Sequence, residues 1–233
     1  DIGRRYEVEP AYAAPVETAT AAARYADGRL DLWIASQAPE QARIAAARAI
    51  GISTEDVALY PIPAGGSFDA RLEHDHAIEI ALIAKALGRP VQLTWPRRDE
   101  LIRARPRAPA WLLLGTPPAA REFGQRLFGN RTSMAAIRDT NGEPDPLACE
   151  GAVPPYQLPA LLVEHVPVAI GLPVGRVRGN AYGPTVFAIE SFIDEIAAKA
   201  GREPLSFRMS MLGSDVRLAA CLQRAAQLAG WDG

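Results

Sequence analysis

The sequence predicts an α+β fold in which helices flank mixed sheets. Strand-like and helix-like segments follow one another without the steady alternation that a doubly wound parallel sheet requires. The pair Asp27-Gly28 separates two strand-like runs, which is a strong hairpin signal. Three helix-like runs end at Gly51, Gly88 and Gly201, and glycine commonly follows the last residue of a helix.

The first hundred residues carry the clearest local patterns. Short apolar runs predict strands, and an alanine-rich run before Gly51 predicts the first helix. A second apolar-periodic run, residues 72–87, predicts a long helix that ends before Gly88. The predicted strands are residues 6–8, 18–25, 30–34, 57–62 and 91–95, and the first helix is residues 38–50.

The middle of the chain is rich in proline, with ten of the twenty prolines between residues 96 and 160. Proline lacks a backbone donor and interrupts helices, so we expect long irregular connections here. The one clear helical candidate in this stretch is residues 119–128. The patterns then sharpen again and predict a strand at residues 161–168 and helices at residues 185–200, 204–211 and 216–229.

These patterns predict three consecutive regions in a chain of 233 residues. Residues 1–95 form a first subdomain with the main glycine loop and its helix. Residues 96–160 form the irregular, proline-rich connection. Residues 161–233 form a second subdomain with the C-terminal helices.

Composition excludes several classes of function. A net charge of -2 gives no basic surface for nucleic acid. No apolar run approaches the roughly 20 residues of a membrane-spanning helix. We recognise no signal peptide at the start of the sequence. Both a cytoplasmic and a periplasmic compartment therefore remain possible predictions. Cys149 and Cys221 lack metal-type spacing, and His74 and His76 are only two positions apart, so we expect no metal ligands from the protein.

The most informative segment is Gly65-Gly66-Ser67-Phe68, between a predicted strand and a predicted helix. Glycine has no Cβ, so backbone N–H groups there can approach a ligand closely. The N-terminus of the following helix would favour an anionic group such as a phosphate. A tight strand-to-helix turn is the commoner reason for a lone glycine pair, so both interpretations stay open.

Three polar residues add to this segment. Arg71 follows it, and Arg178 lies in a second glycine-rich loop, residues 171–183, that also precedes a helix. A guanidinium binds phosphate through two hydrogen bonds, although a surface cation is the ordinary alternative. Gln37 offers a donor and an acceptor before the first helix, where a helix-cap or surface role is the alternative. Together these residues favour an extended anionic ligand between two loops.

Several segments resemble the large subunit of molybdenum hydroxylases, the xanthine dehydrogenase and aldehyde oxidase family. Residues 71–75 are most similar to the branch of this family that contains the beta chain of isoquinoline 1-oxidoreductase. The resemblance runs from about residue 17 to about residue 231, with an interruption at about residues 98–146. The segments that carry it are residues 32–39 (LWIASQAP), 65–75 (GGSFDARLEHD), 84–95 (AKALGRPVQLTW), 173–178 (PVGRVR), 187–195 (FAIESFIDE) and 201–208 (GREPLSFR).

The resemblance implies a molybdopterin-binding-domain-like fold and a molybdopterin cytosine dinucleotide or related molybdenum cofactor. In the family, the glutamine that matches Gln37 hydrogen-bonds an oxo group of molybdenum, and the loop that matches residues 65–68 brings backbone amides to the cofactor. The arginine that matches Arg178 lies in the substrate and cofactor region. The implied reaction hydroxylates an aldehyde or an electron-poor N-heterocycle with oxygen from water. The two electrons leave through iron–sulfur clusters on a partner protein.

The sequence departs from the family at two site positions. Asp69 stands where the family usually has glycine, and Pro184 stands where it usually has a glutamine that contacts the cofactor. A carboxylate near a pyrophosphate or an oxo group would repel it unless the side chain turns away. The family's general-base glutamate belongs to a C-terminal part that we expect outside these residues, so we assign no catalytic residue.

We therefore interpret the chain as the cofactor-binding region of a larger molybdenum-dependent oxidoreductase. We expect it to be inactive by itself, and to need the remaining C-terminal part and an iron–sulfur partner. The alternative is a non-catalytic interaction or scaffold module that has lost the cofactor site.

Overall fold

The structure, a computed structural model, describes residues 2–116, 122–129, 145–158, 160–168, 171–213 and 215–231. These residues belong to two compact units. Unit one comprises Ala11–Arg107 and Pro173–Arg178. Unit two comprises Asp1–Pro10, Ala108–Leu172 and Gly179–Gly233.

The helices and strands of the described residues are numbered in chain order. The strands are β1 (Ile2–Val8), β2 (Thr20–Ala26), β3 (Arg29–Ile34), β4 (Val57–Pro61), β5 (Val91–Thr94), β6 (Ala110–Thr116), β7 (Glu122–Gly129) and β8 (Ala160–Pro167). The α-helices are α1 (Pro39–Ile50), α2 (Asp75–Leu87), α3 (Arg97–Arg103), α4 (Tyr182–Lys199), α5 (Pro204–Leu212) and α6 (Val216–Ala229), and short 3-10 turns occur at Thr54–Asp56 and Ala70–Leu72.

The sheet of unit one has the strand order β4-β3-β2-β5. β2 and β3 are antiparallel and meet at Asp27 and Gly28, whose φ angles are 49° and 77°, so the predicted hairpin is confirmed. β3 and β4 are parallel and are connected through α1, because parallel neighbours need a crossover. The loops that follow β3 and β4 therefore leave the sheet from the same edge.

The core of unit one lies between this sheet and the helices α1 and α2. Alternate residues of β3, Leu30, Leu32 and Ile34, are fully buried, as a half-buried strand requires. Alanines supply most of the buried helix surface, and their small size lets both helices pack closely on the strands. Both helices end at a glycine in the left-handed conformation, Gly51 and Gly88, as predicted.

The helix predicted at residues 72–87 is wrong at its start. α2 begins at Asp75, and the 3-10 turn Ala70–Leu72 lies ahead of it. Phe68 and Asp69 have positive φ angles, 49° and 69°, and Glu73 is extended, so a right-handed helix cannot run through this stretch. The glycine loop consequently does not lead straight into a helix N-terminus.

Unit two contains the sheet β1-β6-β7-β8, in which β7 and β8 are parallel and the other neighbours are antiparallel. α4 contributes Phe192 and Ile193 to its core, against Leu112 of β6. α5 begins with Pro204 in the first turn, as predicted, and Glu203 accepts hydrogen bonds from two backbone N–H groups there. No helix in the described ranges has both the length and the hydropathy to cross a membrane.

Residues 96–160 contain more regular structure than the sequence predicts. They include α3, β6 and β7, where we expected irregular connections. The helix predicted at residues 119–128 is also wrong, because Glu122–Gly129 form strand β7. β7 pairs with β6 on one side and β8 on the other, and two hydrogen-bonded ladders outweigh a local helical preference.

Candidate functional site

Three chain segments meet in unit one and bring the predicted site residues together. One follows β3, the second is the glycine loop after β4, and the third is Pro173–Arg178. The backbone N–H of Gln37 donates to the carbonyl of Arg71 at 2.9 Å, and the N–H of Arg178 donates to the carbonyl of Phe68 at 3.2 Å. Two backbone hydrogen bonds thus connect all three segments.

Gln37 lies between the end of β3 and the first turn of α1, with an exposed side chain. Ser36 shapes this connection, because its Oγ accepts a hydrogen bond from the N–H of Ala38 at 3.0 Å. The Nε2 atom of Gln37 donates to Oδ1 of Asp69 at 3.1 Å. An amide nitrogen carries two hydrogens, so one N–H and the side-chain carbonyl of Gln37 remain for a ligand.

The two glycines are required by the packing of the chain itself. The N–H of Gly65 donates to Oε2 of Glu17 at 2.7 Å, and the N–H of Glu17 donates to the carbonyl of Gly65 at 3.2 Å. A Cβ on Gly65 would lie 2.4 Å from Cβ of Glu17, which is too close for real side chains. Gly66 has a φ of +109°, a conformation that favours glycine. The turn interpretation therefore accounts for both glycines without a ligand.

The rest of the loop offers unpaired donors. Among the described residues, the backbone N–H groups of Gly66, Ser67 and Phe68 donate no hydrogen bond. The carbonyl of Ser67 accepts from the N–H of Ala70 at 2.8 Å, which closes the turn. Successive N–H groups in turns of this kind are a common way to bind anions.

Two arginines of the segment Pro173–Arg178 differ in their partners. The guanidinium of Arg178 is exposed and lies 5.0 Å from the centroid of the Phe68 ring. No carboxylate of the described residues forms an ion pair with Arg178. Nε of Arg176 is instead 3.5 Å from Oδ2 of Asp69. Arg178 can therefore accept an anionic partner, whereas Arg176 already faces a carboxylate.

Arg71 is buried, with 5% of its surface exposed. Its Nη2 donates to the carbonyl of Glu17 at 3.0 Å, and its Nη1 is 3.6 Å from Oε1 of Glu100. Burial lowers the pKa of Arg71, and the carboxylate of Glu100 opposes that change. These contacts make Arg71 a buried cross-link that holds the glycine loop to neighbouring segments.

His76, in the first turn of α2, is buried and close to Arg71. Its Nε2 is 3.5 Å from the carbonyl oxygen of Ala35. Burial, with the positive charge of Arg71 as a second cause, lowers the pKa of His76 to about 4. The imidazole is therefore neutral at neutral pH.

The carboxylates near the start of α2 are paired with cations or donors. Glu73 forms an ion pair with Arg105, which also approaches Oδ2 of Asp75 at 3.0 Å. Glu79 accepts a hydrogen bond from Nε1 of Trp95 at 2.7 Å. In the part of the chain that the structure describes, no three potential metal ligands of the His, Cys, Asp or Glu type come together.

The donors at this site suit an oxygen-rich, anionic group such as the cofactor that the resemblance implies. The N–H groups of residues 66–68, the amide of Gln37 and the guanidinium of Arg178 can all donate hydrogen bonds to such a group. Asp69 is the exception, because it adds an acceptor and a negative charge. The residues present therefore fit the group, with one opposing carboxylate.

Sequence reasoning missed two contacts that shape the site. It treated Asp69 only as a source of repulsion, whereas the structure pairs its carboxylate with Gln37 and Arg176. It also gave no role to Glu17, which holds Gly65. The only sequence signal for Glu17 was its place at the start of the family resemblance, since 48 positions separate it from Gly65.

Comparison with known proteins identifies similar sequences. Residues 2–116 match the family model described as a molybdopterin cofactor-binding domain. The beta chain of isoquinoline 1-oxidoreductase from Brevundimonas diminuta is 28% identical over 94% of this chain and 29% of its own length. A nicotinate dehydrogenase chain from Pseudomonas putida is 27% identical over 94% of this chain and 19% of its own length. The chain thus spans less than a third of these curated relatives.

Solved structures share the fold. Quinoline 2-oxidoreductase from Pseudomonas putida 86 superimposes with a TM-score of 0.75 at 24% identity, over 89% of this chain and 28% of that chain. Aldehyde oxidoreductase from Desulfovibrio gigas gives a TM-score of 0.75 at 21% identity, over 90% of this chain and 24% of that chain. The predicted α+β class with mixed sheets and flanking helices is confirmed.

Proposed function

We propose that this chain, whose residues 2–116 match the model of the molybdopterin cofactor-binding domain family, supplies one wall of a molybdenum cofactor site in a larger oxidoreductase. The observation that carries the proposal is the convergence of Gln37, the unpaired N–H groups of residues 66–68 and Arg178. These groups come from three separate segments, and all of them donate hydrogen bonds.

Each group has a distinct part in this proposal. The remaining N–H of Gln37 would donate to an oxygen near the metal, and the N–H groups of residues 66–68 would donate to oxygens of the cofactor. Arg178 balances negative charge, while the buried Arg71 keeps the loop in place. The bound cofactor supplies the two-electron redox chemistry that these side chains lack. We propose its cytosine dinucleotide form, which acid treatment would release as cytidine monophosphate.

The activity that we propose belongs to the whole protein. Relatives carry the names isoquinoline 1-oxidoreductase, nicotinate dehydrogenase and aldehyde oxidoreductase. We therefore propose hydroxylation of an aldehyde or an N-heterocycle with water as the oxygen source. Because these residues span less than a third of either relative reported above, we expect them to be inactive without the remaining part of the subunit. The two cysteines of these residues cannot supply the four thiolates of an iron–sulfur cluster, so the proposal includes an electron-transfer partner outside these residues.

One observation favours a second candidate, a scaffold module that has lost the cofactor. Asp69 binds the Nε2 of Gln37 and faces Arg176, so it occupies donors that a cofactor could use. Under this alternative, the complete subunit would purify without molybdenum. Replacement of Asp69 by glycine and of Pro184 by glutamine would then raise the molybdenum content if a site had been lost.

The test compares Gln37→Leu with Gln41→Leu in the complete subunit. Gln41 is the matched control, because it is an exposed glutamine on α1 only four positions away. For each variant, elemental analysis gives the molybdenum content, chromatography identifies the released nucleotide, and kinetic assays give the turnover of aldehydes and N-heterocycles. We expect Gln37→Leu to lower turnover or molybdenum content about 10- to 100-fold, with Gln41→Leu unchanged. A wild-type subunit without molybdenum, or equal effects of the two variants, would contradict the proposal.

A further inference from the structure

Asp69 is the one residue of the loop that opposes an anionic ligand. Its φ of +69° lies in the region that favours glycine, and aspartate is among the few other residues that adopt it readily. Its carboxylate accepts a hydrogen bond from Gln37 at 3.1 Å and lies 3.5 Å from Nε of Arg176. Asp69 therefore uses the two kinds of donor, amide and guanidinium, that a phosphate would also use.

Two of the arginines and two carboxylates beside the loop carry charges that cancel. Arg176 and Arg178 contribute two positive charges, and Asp69 and Glu17 contribute two negative charges. Glu17 is committed to the N–H of Gly65, so it is fixed at the start of the loop. The side chains of Asp69 and Arg176 are only 20% and 18% exposed, so solvent screens their charges less than at an open surface.

We propose that Asp69 determines which part of a ligand can lie against the loop. Its carboxylate disfavours a phosphate or pyrophosphate beside residues 66–69 and favours a neutral group that donates a hydrogen bond, such as the amino or ring N–H edge of a heterocycle. This inference rests on the proposed function and deepens it, since it places the phosphates of the cofactor away from Asp69.

The test is the binding of inorganic pyrophosphate to the 233-residue chain. Asp69→Asn removes the charge and keeps the size and the tolerance of a positive φ. Titration calorimetry gives the affinity, and the backbone amide NMR signals of Gly66, Ser67 and Phe68 report where the ion binds. We expect Asp69→Asn to bind pyrophosphate about tenfold more tightly than the wild-type chain, with shifts centred on those three signals.

Asp27→Asn is the matched control. Asp27 also belongs to unit one, is exposed and has a positive φ of 49°, but it lies in the β2–β3 hairpin. We expect Asp27→Asn to leave the affinity for pyrophosphate unchanged. When Arg178→Gln is combined with Asp69→Asn, we expect the gain in affinity that Asp69→Asn produces to disappear. An unchanged affinity in Asp69→Asn, or an equal gain in both Asn variants, would overturn the inference. The molybdenum content of the complete subunit is a separate readout, so either proposal can fail alone.

Discussion

The buried imidazole of His76 makes the free energy of unfolding depend on pH. His76 is 4% exposed, and burial and the charge of Arg71 lower its pKa from 6.5 to about 4. Between these two values the unfolded chain binds the proton more strongly than the folded chain, so stability rises with pH. The contribution of the neutral His76 imidazole to the free energy of unfolding is complete above about pH 6.5 and is lost as the pH falls toward 4. At 1.36 kcal/mol per pH unit, the interval between the two pKa values corresponds to on the order of 3 kcal/mol in the free energy of unfolding.

The measurement is urea unfolding from pH 4 to pH 7.5 for the wild-type chain and His76→Gln. Glutamine keeps a donor near the carbonyl of Ala35 and does not titrate. We expect the wild-type chain to lose on the order of 3 kcal/mol more than His76→Gln between pH 6.5 and pH 4. His74→Gln controls for the replacement of a neighbouring histidine. Parallel pH profiles of the wild-type chain and His76→Gln would refute the reasoning.

Two further substitutions test the packing behind the loop. Gly65→Ala places a Cβ 2.4 Å from Cβ of Glu17, so we expect it to break the hydrogen bonds between these two residues and to lower the free energy of unfolding by about 1–3 kcal/mol. Gly183→Ala is the control, because a Cβ there meets no neighbour. Equal denaturation midpoints of the two variants would contradict the expected clash. Arg71→Leu leaves the carboxylate of Glu100 without one of its cations, so we expect urea unfolding to show a free energy of unfolding lower by about 3 kcal/mol. An unchanged free energy of unfolding would show that Arg71 does not cross-link these segments.

Local sequence patterns predicted most of the helices and strands, because hairpin turns and helix ends are determined by residues close together in the sequence. The hairpin at Asp27 and Gly28 and the helix ends at Gly51 and Gly88 depend on residues within a few positions of each other. Strand β7 was missed because its hydrogen bonds come from β6 and β8. The start of α2 was missed because Glu73 has an extended backbone after the 3-10 turn Ala70–Leu72, although the apolar periodicity continues through it.

The candidate site shows the same limit. The residue types at Gln37, in the glycine loop and at Arg178 could be selected from the sequence and its family resemblance. Their arrangement depends on contacts between distant positions: 32 residues separate Gln37 from Asp69, and no periodicity relates them. The burial of Arg71 was equally invisible, since an arginine beside a glycine loop is ordinarily interpreted as a surface cation until its partners are known.

The most direct measurement of the proposed site is anomalous diffraction at the molybdenum absorption edge, from crystals of the complete subunit that contains these residues. We expect one molybdenum peak per subunit, with Gln37 as the nearest side-chain amide of these residues and the loop of residues 66–68 alongside the cofactor. A metal peak remote from Gln37, or crystals without a molybdenum signal, would contradict the assignment of this loop to a molybdenum cofactor site.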